Sequence, residues 1–383
     1  MMKDQTASWI GKAILCMALL LVNACSAGTS TVPAGSPVVS TPTTPNTPTP
    51  ATASAISTLT PTGQPGFQKG MSYASWWQGQ YSTPEADQSL ANLAATGANW
   101  VAIIVTGYQE TYTSAVIVRD LPKTPTDEDL IHAIGKAHDL GLSVMLKPHV
   151  DLSDDPAHWR GDIGTAFADE AQWQAWFASY SEFISHYAAL AQENGVEQFC
   201  AGTELVATSV REGNWREVVK GVREHFEGPI TYASNHSGEE SSIAWWDAVD
   251  YIGIDAYYAL TDKNDPSADE LKAAWEQRGY IDTLAGLSEK YDRLILITEI
   301  GYRSADGTAI APWEWQSEPE VDLQEQADAY QAAFEVLWGQ PWLAGMYWWN
   351  WDTDPDKGGE ADSDFTPHNK LAEEVLKTYY LQK

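Results

Sequence analysis

From residue 67 onward, short apolar runs alternate with longer stretches of helical period, and the alternation repeats eight times. The runs are rich in β-branched and aromatic residues, as expected of strands buried on both faces. Strands are predicted over 70–76, 100–106, 143–148, 198–202, 230–233, 251–256, 294–298 and 344–349. The first helix follows Ser82-Thr83-Pro84-Glu85, a capping residue and a first-turn proline. The second opens at Thr126-Asp127-Glu128 and ends near Gly141, and a long one over 171–194 is stopped by Gly195. Further helices are predicted over 215–226, 268–291 and 323–338, with a last one after Pro367. Parallel strands joined by helical crossovers predict an α/β protein, a (β/α)8 barrel forming a single domain over 67–383. A doubly wound open sheet is the rival, but no Gly-x-Gly-x-x-Gly follows the first strand.

The N-terminal segment follows another pattern. Lys3 and Lys12 flank or precede an apolar run over 13–22, too short to span a bilayer but right for the apolar region of a secretory signal. It ends Leu21-Val22-Asn23-Ala24-Cys25, which resembles a bacterial lipobox. The resemblance implies a signal peptide over 1–24, lipidation of Cys25, and a lipoprotein at the bacterial cell surface or in the periplasm. An ordinary secretory signal with an incidental cysteine is the alternative. Residues 25–66, dominated by Thr, Pro, Ser and Ala, cannot bury a core and read as a tether from the lipid to the domain. With Cys16 lost in the signal and Cys25 lipidated, Cys200 stands alone in an apolar strand. It reads as a small core residue rather than a nucleophile, and no disulfide framework is available.

The chain carries 53 acidic against 22 basic residues, a net charge of −31. Phosphates would be repelled by such a surface, which argues against nucleic acid. Membrane contact is expected only through the lipid anchor. No cofactor is expected and no protein partner is inferred.

Candidate chemistry lies at the strand ends. Gln198-Phe199-Cys200-Ala201-Gly202-Thr203-Glu204 and Leu294-Ile295-Leu296-Ile297-Thr298-Glu299 are apolar runs that each stop at one glutamate. A carboxylate is costly to bury unless paired, and barrels of this kind hold their active sites at the C-terminal strand ends. Glycoside hydrolysis uses two such carboxylates, with a salt-bridged strand end as the lesser reading of either glutamate alone. The other strand ends supply Trp76, Trp77, Lys147, His149, Asp151, Asn235, His236, Asp255, Tyr257, Arg303, Trp348 and Trp351, which are assigned to substrate binding. Lys147, His149 and Asp151 alternate and so share one face. Eighteen tryptophans suit a carbohydrate ligand, whose C–H faces stack on indole, but most of them read as packing. The run Asp352-Thr353-Asp354-Pro355-Asp356-Lys357-Gly358 has its glycine one place late for an EF-hand, with Ser363 where a bidentate glutamate belongs. It reads as a solvated acidic loop, and no metal site is expected.

Glutamates on the fourth and seventh strands resemble clan A of the glycoside hydrolases, and within it family 113, whose known members act on β-1,4-mannans. The resemblance rests on Gly70-Met71-Ser72-Tyr73, Leu146-Lys147-Pro148-His149-Val150-Asp151, Gly202-Thr203-Glu204-Leu205, Thr298-Glu299-Ile300-Gly301-Tyr302 and Tyr347-Trp348-Trp349-Asn350-Trp351. It implies a retaining enzyme with Glu204 as acid/base and Glu299 as nucleophile, their carboxyl groups about 5–5.5 Å apart. It also implies Trp348 as a platform beneath the sugar. Glu204 must start protonated, and Glu299 must be ionised, held so by Arg303 or Tyr257. Many clan A families place Asn before the acid/base, where it binds the sugar 2-hydroxyl; here Thr203 stands there, so that contact is expected from Asn235 or His149. Two other readings stay open: the same machinery on a glucan, galactan or xylan, and a non-catalytic carbohydrate-binding lipoprotein.

Overall fold

The computed structural model describes residues 66–382; the signal peptide, Cys25 and nearly all of the tether lie outside them. Eight parallel strands close in chain order: β1 (Gln68–Ala74), β2 (Trp100–Gln109), β3 (Ser143–Leu152), β4 (Gln198–Thr203), β5 (Ile230–Asn235), β6 (Ile252–Asp255), β7 (Ile295–Ile300) and β8 (Leu343–Asp352). Among the described residues, ten α-helices surround or cap them: α1 (Pro84–Ala95), α2 (Asp127–Asp139), α3 (Glu170–Glu193), α4 (Val206–Ser209), α5 (Glu212–His225), α6 (Glu239–Ser242), α7 (Ala268–Gln277), α8 (Tyr280–Tyr291), α9 (Leu323–Leu337) and α10 (Leu371–Tyr380). The expected (β/α)8 barrel is the observed fold. No described helix is long and apolar enough to cross a membrane.

The local signals act as read. Thr83 caps α1 by accepting from the Ala86 N–H, with Pro84 in the first turn. Thr126 and Asp129 form a reciprocal capping box on α2. One expectation fails. The single helix over 268–291 is two, α7 and α8, separated at Gly279, which takes φ 77°. That left-handed conformation suits glycine and interrupts the helix.

Each strand sends alternate residues to the helices and to the barrel interior. Val101, Ile103 and Val105 join the outer core with the helices, while Ala102, Ile104, Met145, Cys200, Ala233 and Leu296 form a separate inner cluster. Below that cluster lies a polar floor. Tyr347 Oη donates to Gln68 Oε1 at 2.7 Å, and Gln68 Nε2 donates to Gln198 Oε1 at 2.9 Å. Gly70 is required there, because a Cβ would stand 2.3 Å from the Tyr347 ring. Above it, register shifts interrupt β4 against β5 between Cys200 and Thr203, and β6 against β7 between Ile254 and Asp255. Such irregularities re-aim side chains, and each lies just before one of the two strand-end glutamates or its pairing partner.

Gly70→Ala is expected to destabilise the protein by about 1–3 kcal/mol through overpacking against Tyr347. Urea denaturation measures this, and an unchanged midpoint contradicts the packing account.

Candidate active site

Lys147 is the centre of the site. It points up the barrel from β3, is fully buried, and donates through Nζ to Asp255 Oδ1 at 3.1 Å and to Glu299 Oε1. Burial pulls the lysine pKa down, but the Asp255 and Glu299 carboxylates outweigh it and leave the ammonium firmly charged. Asp255, on β6, is fixed in turn by Thr298 Oγ1, which donates at 2.7 Å. The second oxygen of Glu299 accepts from Tyr257 Oη at 2.8 Å. Lys147, Asp255, Tyr257 and Glu299 thus meet at the C-terminal mouth, contributed by β3, β6 and β7 and the loop after β6.

Glu204 stands directly after β4 in the left-handed region, φ 54°, a conformation that costs a non-glycine residue about 1–3 kcal/mol. Its N–H donates to Ala233 O at 2.8 Å, and Asn235 Nδ2 donates to its Oε1 at 2.6 Å. The Asn235 amide is oriented because its Oδ1 accepts from Ser237 N–H at 2.9 Å. Arg160 Nη1 lies 3.9 Å from Glu204 Oε2. Burial raises the Glu204 pKa, and the charge of Glu299 adds to it; Arg160 and Asn235 pull the other way without cancelling the rise.

Arg160 also joins the two glutamates through His149. Its Nη1 donates to His149 Nδ1 at 3.0 Å and its Nη2 to Asp151 Oδ2 at 3.3 Å. An acceptor at Nδ1 places the imidazole proton on Nε2, which lies 3.7 Å from Glu299 Oε1 and has no hydrogen-bond partner. Burial, Arg160 and Lys147 hold the His149 pKa well below its usual value, so the ring is neutral.

Aromatic rings flank the pair. Trp349 stacks near His149, with centroids 6.2 Å apart and planes at 13°, and the half-exposed Trp76 lies 6.2 Å from Trp349. Across the barrel, His236 packs on Tyr257 at 6.3 Å and stacks on the exposed Trp313 at 4.9 Å. Burial pushes the His236 pKa down to about 4. Trp77 is exposed on the loop after β1.

Three assigned residues lie elsewhere. Trp348 is fully buried on the outer face of β8, stacked 3.6 Å from Tyr330 of α9, so it is no platform. Trp351 is buried too, its Nε1 donating to Ser89 O and Oγ of α1 at 3.0 Å. Arg303 does not hold Glu299; its guanidinium donates to Ser363 O at 3.1 Å and Ser317 O at 2.9 Å, tying two loops together. Strand alternation would have found Trp349, since it shares a face with the inward Tyr347 and not with Met346 and Trp348. Arg160 carries no such signal, because its loop after β3 has no period. Thr203 is buried with Oγ1 4.0 Å from Cys200 Sγ. In the acidic loop, Asp352 and Asp354 accept from the backbone N–H groups of Asp354 and Asp356. Among the described residues, no three His, Cys, Asp or Glu side chains converge as a metal would require.

No curated protein sequence matches the chain. Among solved structures, a β-1,4-mannanase of glycoside hydrolase family 113 determined as a complex is 30% identical, with a TM-score of 0.75, covering 83% of this chain and 100% of its own. The family-113 β-mannanase AaManA from Alicyclobacillus acidocaldarius, in complex with ManMIm, is 32% identical with a TM-score of 0.73, covering 82% of this chain and 97% of its own. A β-D-glucuronidase of Dictyoglomus thermophilum, 16% identical with a TM-score of 0.55, shares the fold alone, over 51% of its length. Glycoside Hydrolase Family 113 itself matches residues 71–370. A match of that extent, with two solved members aligned over nearly their whole length, makes this chain a glycoside hydrolase of family 113 and its substrate a polysaccharide or oligosaccharide.

Proposed function

We propose that this is a retaining β-mannanase-type enzyme, with Glu299 as nucleophile and Glu204 as acid/base. The difference between the two carboxyl environments carries the reading. Glu299 has one oxygen on the Lys147 ammonium and the other on the Tyr257 hydroxyl, which leaves its carboxyl held on both sides. Glu204 is buried with its pKa raised, as a proton donor requires. Glu299 attacks the anomeric carbon while the Glu204 proton passes to the glycosidic oxygen, and the C–O bond breaks. Glu204, now a carboxylate, takes a proton from water as that water's oxygen attacks the anomeric carbon and releases Glu299. The product keeps the β configuration and Glu204 is again protonated.

The partnerless Nε2–H of His149 is assigned to the sugar hydroxyl next to the anomeric carbon. The rings of Trp349 and Trp76 on one side, and His236 and Trp313 on the other, suit the C–H faces of a saccharide chain. Resemblance to two mannanases supports β-mannan over glucan, galactan or xylan. We assign the chain to the cell surface or periplasm through lipid on Cys25, on the strength of its lipobox.

Assayed against mannan, glucan, xylan and galactan, the protein should hydrolyse mannan best; binding without hydrolysis would restore the non-catalytic reading. Glu299→Ala should abolish turnover, and Glu204→Ala should cut mannan hydrolysis by about 10²–10⁴-fold. Azide should then yield the β-glycosyl azide with Glu204→Ala and the α-anomer with Glu299→Ala, and exchanged anomers would reverse the assignment. Wild-type kcat/KM should fall as pH rises through the Glu204 pKa, because the donor is lost. Arg160→Gln removes a cation that favours the Glu204 carboxylate, so the alkaline limb should move to higher pH; a downward shift contradicts the geometry. Cys25→Ala should no longer incorporate labelled fatty acid in a bacterial host, and undiminished labelling rules that cysteine out as the anchor.

A further inference from the structure

Behind Glu204 lies a second buried glutamate that the reaction above does not use. Glu239 opens the short helix α6 and is almost wholly buried. Its Oε1 accepts from Tyr232 Oη at 2.6 Å, and its Oε2 accepts from the Asn235 N–H at 2.6 Å. Both partners lead back to Glu204. Tyr232 Oη accepts from the N–H of Leu205, the next residue, at 2.9 Å. Asn235 donates through Nδ2 to the Glu204 carboxyl itself. One arm therefore fixes the backbone at Glu204 and the other fixes its side chain, and the two arms meet on one carboxylate.

The surroundings stiffen this loop of contacts. Tyr232 packs edge-on against both Trp215 and Trp245, with centroids at 5.0 and 5.2 Å. Those tryptophans stack on each other at 5.1 Å and donate to Thr208 O and Ser209 O, the last carbonyls of α4, which follows Glu204 and Leu205. Glu204 holds a left-handed backbone that a non-glycine residue does not keep unless its surroundings impose it.

We propose that Glu239 is a positioning residue for the acid/base, holding the Glu204 carboxyl in its proton-transfer geometry through Tyr232 and Asn235. This rests on Glu204 being the acid/base. Glu239 touches neither substrate nor reacting atoms; it acts on proton transfer alone. A carboxamide at position 239 accepts on one side only, so Glu239→Gln deprives either Tyr232 or Asn235 of its acceptor.

The test uses the leaving group as a reporter. The full-length protein, Glu239→Gln, Tyr232→Phe and Glu204→Ala are compared on a β-mannooligosaccharide, whose departing sugar needs a proton, and on 2,4-dinitrophenyl β-mannoside, whose leaving group needs none. Glu239→Gln should lose about 10²-fold in kcat on the oligosaccharide, the scale of a small misplacement of a catalytic group. Its dinitrophenolate burst should stay near wild type, and azide should speed its steady state. Tyr232→Phe, which removes one oxygen from the same loop, should show the same pattern in weaker form, and it decides the question if Glu239→Gln does not fold. Equal losses on both substrates in a folded variant, or wild-type rates on both, overturn the proposal. Glu204→Ala separates the two levels: if it lacks the leaving-group dependence, the acid/base assignment itself fails. If it shows the dependence and neither Glu239→Gln nor Tyr232→Phe does, only the role of Glu239 falls.

Discussion

The site is organised by one ammonium group placed where no water reaches it. Lys147 sits between Asp255 and Glu299 at the top of a barrel packed with apolar and small side chains. Isolated, any one of these three charges would be expensive to bury, by several kcal/mol even after relaxation. Together they form a cluster to which Thr298 adds a hydrogen bond on Asp255 and Tyr257 one on Glu299. Removing the lysine would strand two carboxylates, and removing either carboxylate would change the charge felt by the other. The orientation of Glu299 is thus a property of three strands and not of its own.

The other glutamate is held by different means. Glu204 keeps its unfavourable backbone because the chain on either side is anchored: Ala233 O takes its N–H, Tyr232 takes the next one, and two tryptophans cap the short helix that follows. An ammonium and a phenol fix Glu299, whereas hydrogen bonds and stacked rings hold Glu204, with the Arg160 guanidinium farther off at 3.9 Å. That difference suits the roles proposed for them. A nucleophile gains from cations beside it, and a proton donor is better served by neutral support that leaves its pKa high.

Much of this was legible beforehand. Apolar runs with helical crossovers announce a barrel whatever the details, because both faces of each strand are covered. The glutamates were visible because a single charge ending an apolar run has few structural excuses. Tyr257, Asn235, Lys147, His149 and Asp255 followed from the same rule and converge on the glutamates or their partners. What stayed hidden has physical reasons. Trp348 and Trp349 are chemically identical, and only the parity of β8, set by the inward Tyr347, tells which one faces the sugar side. Arg160 comes from an aperiodic loop, and its role appears only when the chain folds it over His149. Glu239 opens α6 with no recognisable motif, and its partners, Tyr232 and Asn235, lie on β5. Arg303 looked like a partner for Glu299 because it is close in sequence, but a side chain three residues past the strand end belongs to the loops.

The floor made by Gln68, Gln198 and Tyr347 has a consequence for traffic. With Gly70 pressed against the tyrosine ring and the inner cluster filling the space above, the barrel is a blind tube, sealed at its N-terminal end. The carboxylates therefore have no access to solvent through the barrel's N-terminal end. Saccharide, departing chain and hydrolytic water all come and go on the C-terminal side of the barrel.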